Sequence, residues 1–159
     1  IVLAAALFCR KRKVSFWQLA DLVVPVIPAG YFFGRIGNFL NGELFGRPTD
    51  GWWGMYFPSD SLGLLRHPSQ IYEAFWEGAV LFGLLWAIRN QARWQGELLW
   101  LYFIGYGLVR FAIEFVREPD SQLGLFWGWL TLGQIFSLVA VLVGIGGILW
   151  KKRNIQEIG

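Results

Sequence analysis

The chain is poor in the residues from which soluble catalytic and metal sites are usually built. Its 159 residues include one cysteine, one histidine and one methionine. The lone Cys9 cannot form an internal disulfide bond and offers no metal-binding motif, and its place in an apolar run favours a small buried side chain. We therefore expect neither an internal disulfide nor a bound metal ion.

Charge is also scarce. Charged residues make up 16% of the chain, against 55% hydrophobic and 18% aromatic residues, and the mean hydropathy is +0.45. A soluble domain usually has a charged fraction of about a quarter. The long apolar runs therefore indicate an integral membrane protein. No linker or internal repeat divides the sequence, so we predict a single transmembrane domain over residues 1–159.

The basic residues are grouped at the ends of apolar runs. Nine of the fourteen fall in three clusters, at residues 10–13, at positions 89 and 93, and at residues 151–153. Such clusters are typical of the cytoplasmic loops of membrane proteins. No basic stripe with interleaved aromatic residues is present, so nucleic acid is not an expected partner.

The apolar runs predict an all-α fold, a polytopic bundle of transmembrane helices with four full spans at about residues 22–40, 71–88, 98–116 and 132–150. Residues 1–8 form a run that is too short to cross a bilayer and lacks the features of a signal peptide. We interpret it as the end of a truncated helix, and the chain as a fragment that lacks its N-terminal part.

Placing the three basic clusters in the cytoplasm gives one consistent orientation. The outer loops are then about residues 41–69 and 118–131, and the C-terminus is cytoplasmic. Tryptophans lie near both predicted membrane surfaces, at positions 52, 53, 127 and 129 outside and 17, 94, 100 and 150 inside. This distribution is typical of two aromatic belts.

The outer end of the first span is unexpectedly polar. Charges inside a span are costly, at about 2.5–3.5 kcal/mol each, so they indicate function. Arginine and asparagine beside the exposed backbone of glycines can form a phosphate pocket. The residues in question are Arg35, Asn38, Asn41, Glu43 and Gly46. The alternative is helix packing through glycines, with Arg35 reaching to the surface.

A second polar group occupies the outer end of the third span. Arg110, Glu114 and Arg117 are spaced i, i+4, i+7 and share one helix face. This pattern fits either a functional site or an internal salt bridge that lets a helix end tolerate charge. Its depth, equal to that of the first group, favours function.

The third polar group begins the second span and comprises His67, Ser69, Gln70, Tyr72 and Glu73, with Glu77 one turn later. We predict that Ser69 caps the helix and that Glu73 and Glu77 face inward to meet arginines. His67 is a candidate acid or base, and with Gln70, Tyr72 and Glu73 it is a candidate supporting residue of the site. All three groups lie at outer helix ends, which predicts a charged pocket that opens toward the outer leaflet.

These blocks resemble the prolipoprotein diacylglyceryl transferase family. Residues 34–47, Gly-Arg-Ile-Gly-Asn-Phe-Leu-Asn-Gly-Glu-Leu-Phe-Gly-Arg, closely match its signature. Residues 66–73, 107–115 and 117–120 match further blocks in the family's order, so the resemblance covers nearly the whole chain.

The resemblance implies a multi-helix enzyme of the bacterial inner membrane that needs no cofactor. Its partners are phosphatidylglycerol, membrane lipids and the lipobox peptide of a prolipoprotein. It moves the sn-1,2-diacylglyceryl group to the lipobox cysteine, forming a thioether and releasing glycerol phosphate, which is the first step of lipoprotein maturation. The family's important residues correspond here to Arg35, Asn38, Glu43, Gly46, Arg110 and Glu114. A histidine and a tyrosine that the family has upstream are absent, so we expect the chain alone to be inactive.

The chemistry suggests roles for these residues. A thiol has a pKa of about 8.5 and needs a base or a cationic neighbour, and a leaving phosphate needs positive charge. We expect Arg35, with Asn38, to hold the lipid phosphate and Arg110 to stabilise the leaving group or the thiolate. Glu114 and Glu43 would orient the arginines or accept a proton. Two alternatives stay open: a non-catalytic scaffold that binds anionic lipid, and a channel or transporter subunit.

Overall fold

The structure is a computed structural model that describes residues 1–118 and 130–156. Most of this part is helical. In chain order the helices are α1 (Val2–Arg12), α2 (Phe16–Val23), α3 (Ile27–Leu40), α4 (Ser69–Glu73), α5 (Leu81–Ile88), α6 (Glu97–Ile113) and α7 (Leu132–Gln156). The predicted loop residues Pro119 and Asp120, together with Trp127 and Trp129, lie outside the described residues.

Helices α2 and α3 form one long apolar segment. Ser15 caps α2, because its side chain accepts a hydrogen bond from the Gln18 backbone N–H. A 3₁₀ turn at Val24–Val26, which contains Pro25, joins the two helices. Proline cannot donate a backbone hydrogen bond, so the helix narrows there instead of ending. The segment therefore begins six residues before the predicted start of the first span.

The second long segment contains a π-helix. It runs from α4 through Ala74–Val80, which is π-helical, into α5. The prediction that Ser69 caps this helix is wrong. The N-cap residue is Pro68, and the Ser69 hydroxyl instead donates to the backbone carbonyl of Leu44, 3.2 Å away. The loop after α3 passes over the start of α4 and takes this hydroxyl.

Helix α6 is fixed at its start by a side chain from α2. The Asp21 carboxylate accepts hydrogen bonds from the backbone N–H groups of Gly96, Leu98 and Leu99. Gly96 has a φ of 94°, a backbone conformation that glycine adopts without strain. A carboxylate at a helix N-terminus satisfies N–H groups that have no partner in the helix.

Three helical segments are long and apolar enough to cross a membrane, namely Phe16–Leu40, Ser69–Ile88 and Leu132–Asn154. The predicted class is confirmed at that level, as a largely helical chain with helices long and apolar enough to span a membrane. The predicted count of four spans is not confirmed. Helix α6 corresponds to the third predicted span but has 17 residues and ends at Ile113. The chain leaves the helix there, because Arg117 forms a β-bridge with Gly46.

The loop after α3 contains a small sheet that the all-α prediction omitted. Strand β1 (Met55–Tyr56) pairs antiparallel with β2 (Leu65–Arg66). Two isolated bridges join Gly46 to Arg117 and Pro48 to Arg66. The loop is thereby tied both to the start of α4 and to the end of α6.

Glycines let α6 and α7 pack closely. A Cβ added at Gly144 would lie 2.8 Å from the Trp100 carbonyl oxygen and 3.2 Å from the Ile104 backbone nitrogen. A Cβ added at Gly146, two residues further along α7, would meet nothing within 4 Å. The two glycines are therefore a matched pair for testing this contact.

We expect Gly144→Ala to lower the midpoint of thermal denaturation of the detergent-solubilised protein, because overpacking a helix contact costs about 1–3 kcal/mol. Gly146→Ala should leave the midpoint unchanged or raise it, since alanine favours a helix over glycine by roughly 1 kcal/mol. Equal effects of the two substitutions would contradict the described contact between α6 and α7.

Candidate functional site

One buried carboxylate collects arginines from separate parts of the chain. The Glu73 side chain in α4 is 0% exposed. Its Oε2 atom lies 3.0 Å from Arg35 Nε, 3.1 Å from Arg110 Nη1 and 2.9 Å from the Tyr31 hydroxyl. Arg117 Nε lies 3.9 Å from its Oε1 atom. Glu73 therefore joins α3, α6 and the segment after α6.

Arg110 is the most connected cation in the part of the chain that the structure describes. Its Nη2 atom lies 2.8 Å from Glu114 Oε2, and its Nη1 atom lies 3.6 Å from Glu77 Oε1 in addition to the contact with Glu73. Glu114 packs against the start of α7, where a Cβ added at Gly133 would come within 2.6 Å of the Glu114 carboxyl carbon. We call Arg35, Arg110, Arg117, Glu73, Glu77 and Glu114 the arginine cluster.

A polar chain leads from the arginine cluster to the surface. Arg35 Nη1 donates to Asn38 Oδ1 at 3.2 Å, and Asn38 Nδ2 donates to Glu43 Oε1 at 2.8 Å. The exposed Asn41 side chain also points at Glu43, with a nitrogen–oxygen distance of 3.5 Å. Gln70 from α4 donates to the Glu43 backbone carbonyl at 2.7 Å. These contacts hold the exposed Glu43 carboxylate at the outer end of this series of hydrogen bonds.

Gly46 lies where three of the sequence blocks meet. Its N–H donates to the His67 carbonyl at 2.8 Å, and the Arg47 N–H donates to the Val116 carbonyl at 2.9 Å. A Cβ added at Gly46 would come within 2.8 Å of the His67 Cβ atom and would also meet the Val116 carbonyl. Only glycine fits there, and its N–H is already bonded within the protein.

His67 lies in the loop and is not part of the arginine cluster. Its Nδ1 atom is 3.4 Å from the Tyr72 hydroxyl and 3.4 Å from Trp53 Nε1, and its ring stacks on Trp53. Burial lowers the pKa of the His67 imidazole below its ordinary value of 6.5, so the ring is neutral at pH 7. The geometry suits a weak hydrogen-bond network more than an ion pair.

A bidentate ion pair closes the hairpin that strands β1 and β2 form. Arg66 Nε lies 2.9 Å from Asp60 Oδ2 and its Nη2 lies 3.1 Å from Asp60 Oδ1, while its Nη1 reaches Glu118 at 2.9 Å. The Asp60 carboxylate also accepts from the backbone N–H groups of Leu62 and Leu64. The Arg66 guanidinium and these N–H groups hold the pKa of Asp60 below its ordinary value.

An apolar groove of about 440 Å³ runs between the second long segment and α6. It is lined by Tyr72, Trp76, Leu108, Val109, Ala112, Ile113 and Val116. Its walls come from the same two helices that hold Glu73 and Arg110. A charged cluster and an apolar groove thus share their supporting helices, an arrangement suited to an amphiphilic ligand.

The structure brings most of the predicted site residues together. Arg35, Arg110, Glu114 and Glu73 meet in the arginine cluster, and Asn38, Asn41 and Glu43 continue from it. The inward orientation predicted for Glu73 and Glu77 is confirmed. Sequence reasoning underrated Glu73 as a supporting residue and overlooked Tyr31. The available signal was a pair of glutamates spaced i, i+4 inside an otherwise apolar span.

Comparison with known proteins gives a consistent result. The family model for prolipoprotein diacylglyceryl transferase matches residues 1–150. Among curated phosphatidylglycerol--prolipoprotein diacylglyceryl transferases, that of Chlorobaculum tepidum is 51% identical over 157 residues, 99% of this chain and 54% of the relative. Those of Bordetella parapertussis and Pseudoalteromonas translucida are each 46% identical, over 96% and 99% of this chain and 58% of each relative. The chain spans little more than half the length of these relatives.

We expect Glu73→Gln to lower the midpoint of thermal denaturation strongly. Breaking a buried ion pair by removing one partner costs about 3–5 kcal/mol, because the remaining charge is left uncompensated. Glu118→Gln is the control, since the Glu118 side chain is 46% exposed and an exposed pair contributes at most about 1 kcal/mol. A Glu73→Gln protein as stable as Glu118→Gln would contradict the central place of Glu73.

We expect Asp60→Asn to make the loop at residues 41–69 easier to cleave with proteinase K at neutral pH. The carboxylate has a lowered pKa, so its contribution is present above the ordinary aspartate range and is lost as the pH falls through the lowered value. The difference between the two proteins should therefore vanish in strong acid, tested with pepsin. Asp50→Asn, which alters an exposed residue, should behave as wild type at both pH values.

Proposed function

Because the chain belongs to the prolipoprotein diacylglyceryl transferase family, we propose that it is the part of such an enzyme that binds the phosphate of phosphatidylglycerol and stabilises its departure. The complete enzyme transfers the sn-1,2-diacylglyceryl group to the lipobox cysteine of a prolipoprotein. The products are a thioether and glycerol phosphate.

One observation carries this proposal. Arginines from three separate sequence blocks converge on the buried carboxylate of Glu73, on the same helices that line an apolar groove. Arginine binds phosphate oxygens in a fork and stays charged at every physiological pH. The cluster matches a phosphate headgroup, and the groove matches an acyl chain.

The reaction is a substitution at an sp³ carbon. The cysteine sulfur forms a bond to the sn-3 carbon of the glyceryl group while the bond from that carbon to the phosphate oxygen breaks. Negative charge grows on the leaving phosphate, and a cation fixed beside it lowers the barrier. The thiol proton passes to a base, which the family resemblance assigns to the part of the enzyme upstream of these residues.

The polar contacts support separate roles for the two arginines. In the proposal, Arg35 and its neighbour Asn38 hold the lipid phosphate, and Arg110 stabilises the oxygen that leaves. Glu114 orients Arg110 from 2.8 Å, and Glu43 orients Asn38 from the same distance. Ion pairs of this kind fix a guanidinium before the substrate arrives, so less ordering is needed during the reaction.

The proposed topology has four spans, with α6 as the third. The three basic clusters and the C-terminus lie in the cytoplasm of a bacterial cell, and the arginine cluster faces the outer leaflet of its inner membrane. The hairpin loop then lies outside, where a translocated lipoprotein peptide arrives. The basic clusters and the two groups of tryptophans support this orientation.

The decisive test is mass spectrometry of a lipobox peptide incubated with phosphatidylglycerol and the full-length enzyme in nanodiscs. We expect a mass gain of one diacylglyceryl group on the cysteine. Arg110→Ala should slow the transfer by about 10²–10³, the usual effect of removing one group that stabilises developing charge. Arg93→Ala, at an exposed residue outside the cluster, is the matched control and should transfer normally.

Two outcomes would contradict the proposal. No mass gain from a folded protein that binds phosphatidylglycerol would favour a lipid-binding scaffold. An unchanged rate in a folded Arg110→Ala protein would remove Arg110 from the reaction.

A further inference from the structure

Glu77 is the least satisfied carboxylate of the arginine cluster. Its side chain is 0% exposed, and among residues 1–118 and 130–156 neither of its oxygen atoms has a hydrogen-bond partner, because the neighbouring Tyr31 hydroxyl donates to Glu73 instead. Its one ion-pair contact in the described part of the chain is with Arg110 Nη1, at 3.6 Å, and that nitrogen also lies 3.1 Å from Glu73. Glu73 and Glu114, in contrast, have arginine nitrogens within 3.1 Å and 2.8 Å.

The backbone fixes Glu77 in this position. It lies in the π-helical segment Ala74–Val80, a rare geometry that is frequent at functional sites. The next residue, Gly78, packs so tightly on α3 that an added Cβ would come within 2.9 Å of the Phe32 Cα atom. This close packing keeps the Glu77 side chain in the arginine cluster, because rotation of the segment would bring other residues against α3.

The surroundings of Glu77 offer little compensation for a negative charge. The ionisable groups around Glu77 include Tyr31 and Arg35 from α3, Tyr102, Tyr106 and Arg110 from α6, and Glu73 from its own helical segment. Of the two cations, Arg35 is bonded to Glu73, and Arg110 is divided between three carboxylates. A buried carboxyl group without adequate partners becomes neutral by taking up a proton.

A proton on Glu77 also sets the net charge of the whole cluster. With all three glutamates ionised, they balance the three arginines, and an anionic phosphodiester would enter a neutral site. With Glu77 protonated, the cluster carries one net positive charge. That charge balances the single negative charge of a phosphodiester.

We propose that Glu77 is a positioning residue that holds a proton in the resting enzyme, which leaves Arg110 and the cluster with one positive charge for the phosphodiester of the lipid. The inference rests on the proposed function for the identity of the ligand. Its physical core, a protonated Glu77, does not. Loss of the proton turns Glu77 into a competitor for Arg110, so the lipid binds less tightly.

The first test is infrared spectroscopy of the full-length enzyme in nanodiscs at neutral pH. A protonated carboxyl group has a C=O stretching band distinct from the bands of a carboxylate. We expect such a band in the wild type and in Glu118→Gln, and its loss in Glu77→Gln. A spectrum that is identical in wild type and Glu77→Gln would overturn the proposal.

The second test measures binding of phosphatidylglycerol as the pH is raised, with phosphatidylcholine, whose headgroup is zwitterionic, as the comparison lipid. Once Glu77 deprotonates, we expect the wild-type affinity for phosphatidylglycerol to fall by up to about tenfold per pH unit. Glu77→Gln is isosteric and permanently neutral, so its affinity should stay flat. A residue with only a structural role would not produce this difference.

The same pH dependence in both proteins would overturn the proposal. If Glu77→Gln does not fold, the two measurements on the wild-type enzyme as the pH is raised test the proposal. A carboxyl band that fades together with binding of phosphatidylglycerol, but not of phosphatidylcholine, supports the proposal, and binding that is independent of pH contradicts it. A protein with both pH effects but no transfer to a lipobox peptide would contradict the transferase alone and leave the proton on Glu77 standing.

Discussion

The ion pairs of Glu73 are the contact on which the rest of the site depends. Arg35 and Arg110 come from different helices, and each would be costly in an apolar environment without a counterion. Glu73 contacts both through one oxygen atom, at 3.0 Å and 3.1 Å, and so fixes the distance between the two guanidinium groups. The same pairs hold α3, α4 and α6 at one depth. The geometry offered to a ligand and the packing of three helices are thus properties of one buried carboxylate.

The loop after α3 joins the ends of two helices beside this centre. Gly46 bonds to His67 and bridges to Arg117, so the chain that leaves α6 is attached to the chain that enters α4. The Asp60–Arg66 pair closes the hairpin beside them. Backbone bonds and one two-pronged ion pair therefore keep Arg117 near Glu73, although Arg117 lies beyond the end of its helix. The charged end of the bundle is stabilised from outside as well as from within.

Much of this site could be predicted from spacing within single segments. The pair Arg110 and Glu114 follows from i, i+4 geometry, and the polar chain from Arg35 to Glu43 involves near neighbours in sequence. Contacts between segments were harder to foresee. The central place of Glu73 depends on three elements meeting, which no local pattern encodes. Ser69 looked like a helix cap because the loop that takes its hydroxyl was not predictable, and residues 48–65 had no pattern that indicated a hairpin.

The π-helix between α4 and α5 has a consequence for the whole segment Ser69–Ile88. Its turns are wider than those of an α-helix, so residues before and after it no longer follow one angular repeat. A helical wheel drawn through the segment assigns the wrong face to one of its halves. The N-terminal half turns Glu73 and Glu77 toward arginines, while the C-terminal half buries Leu81 and Leu85 in an apolar core with Val24. The change of phase lets one continuous helix serve two environments that a regular helix would present on different sides.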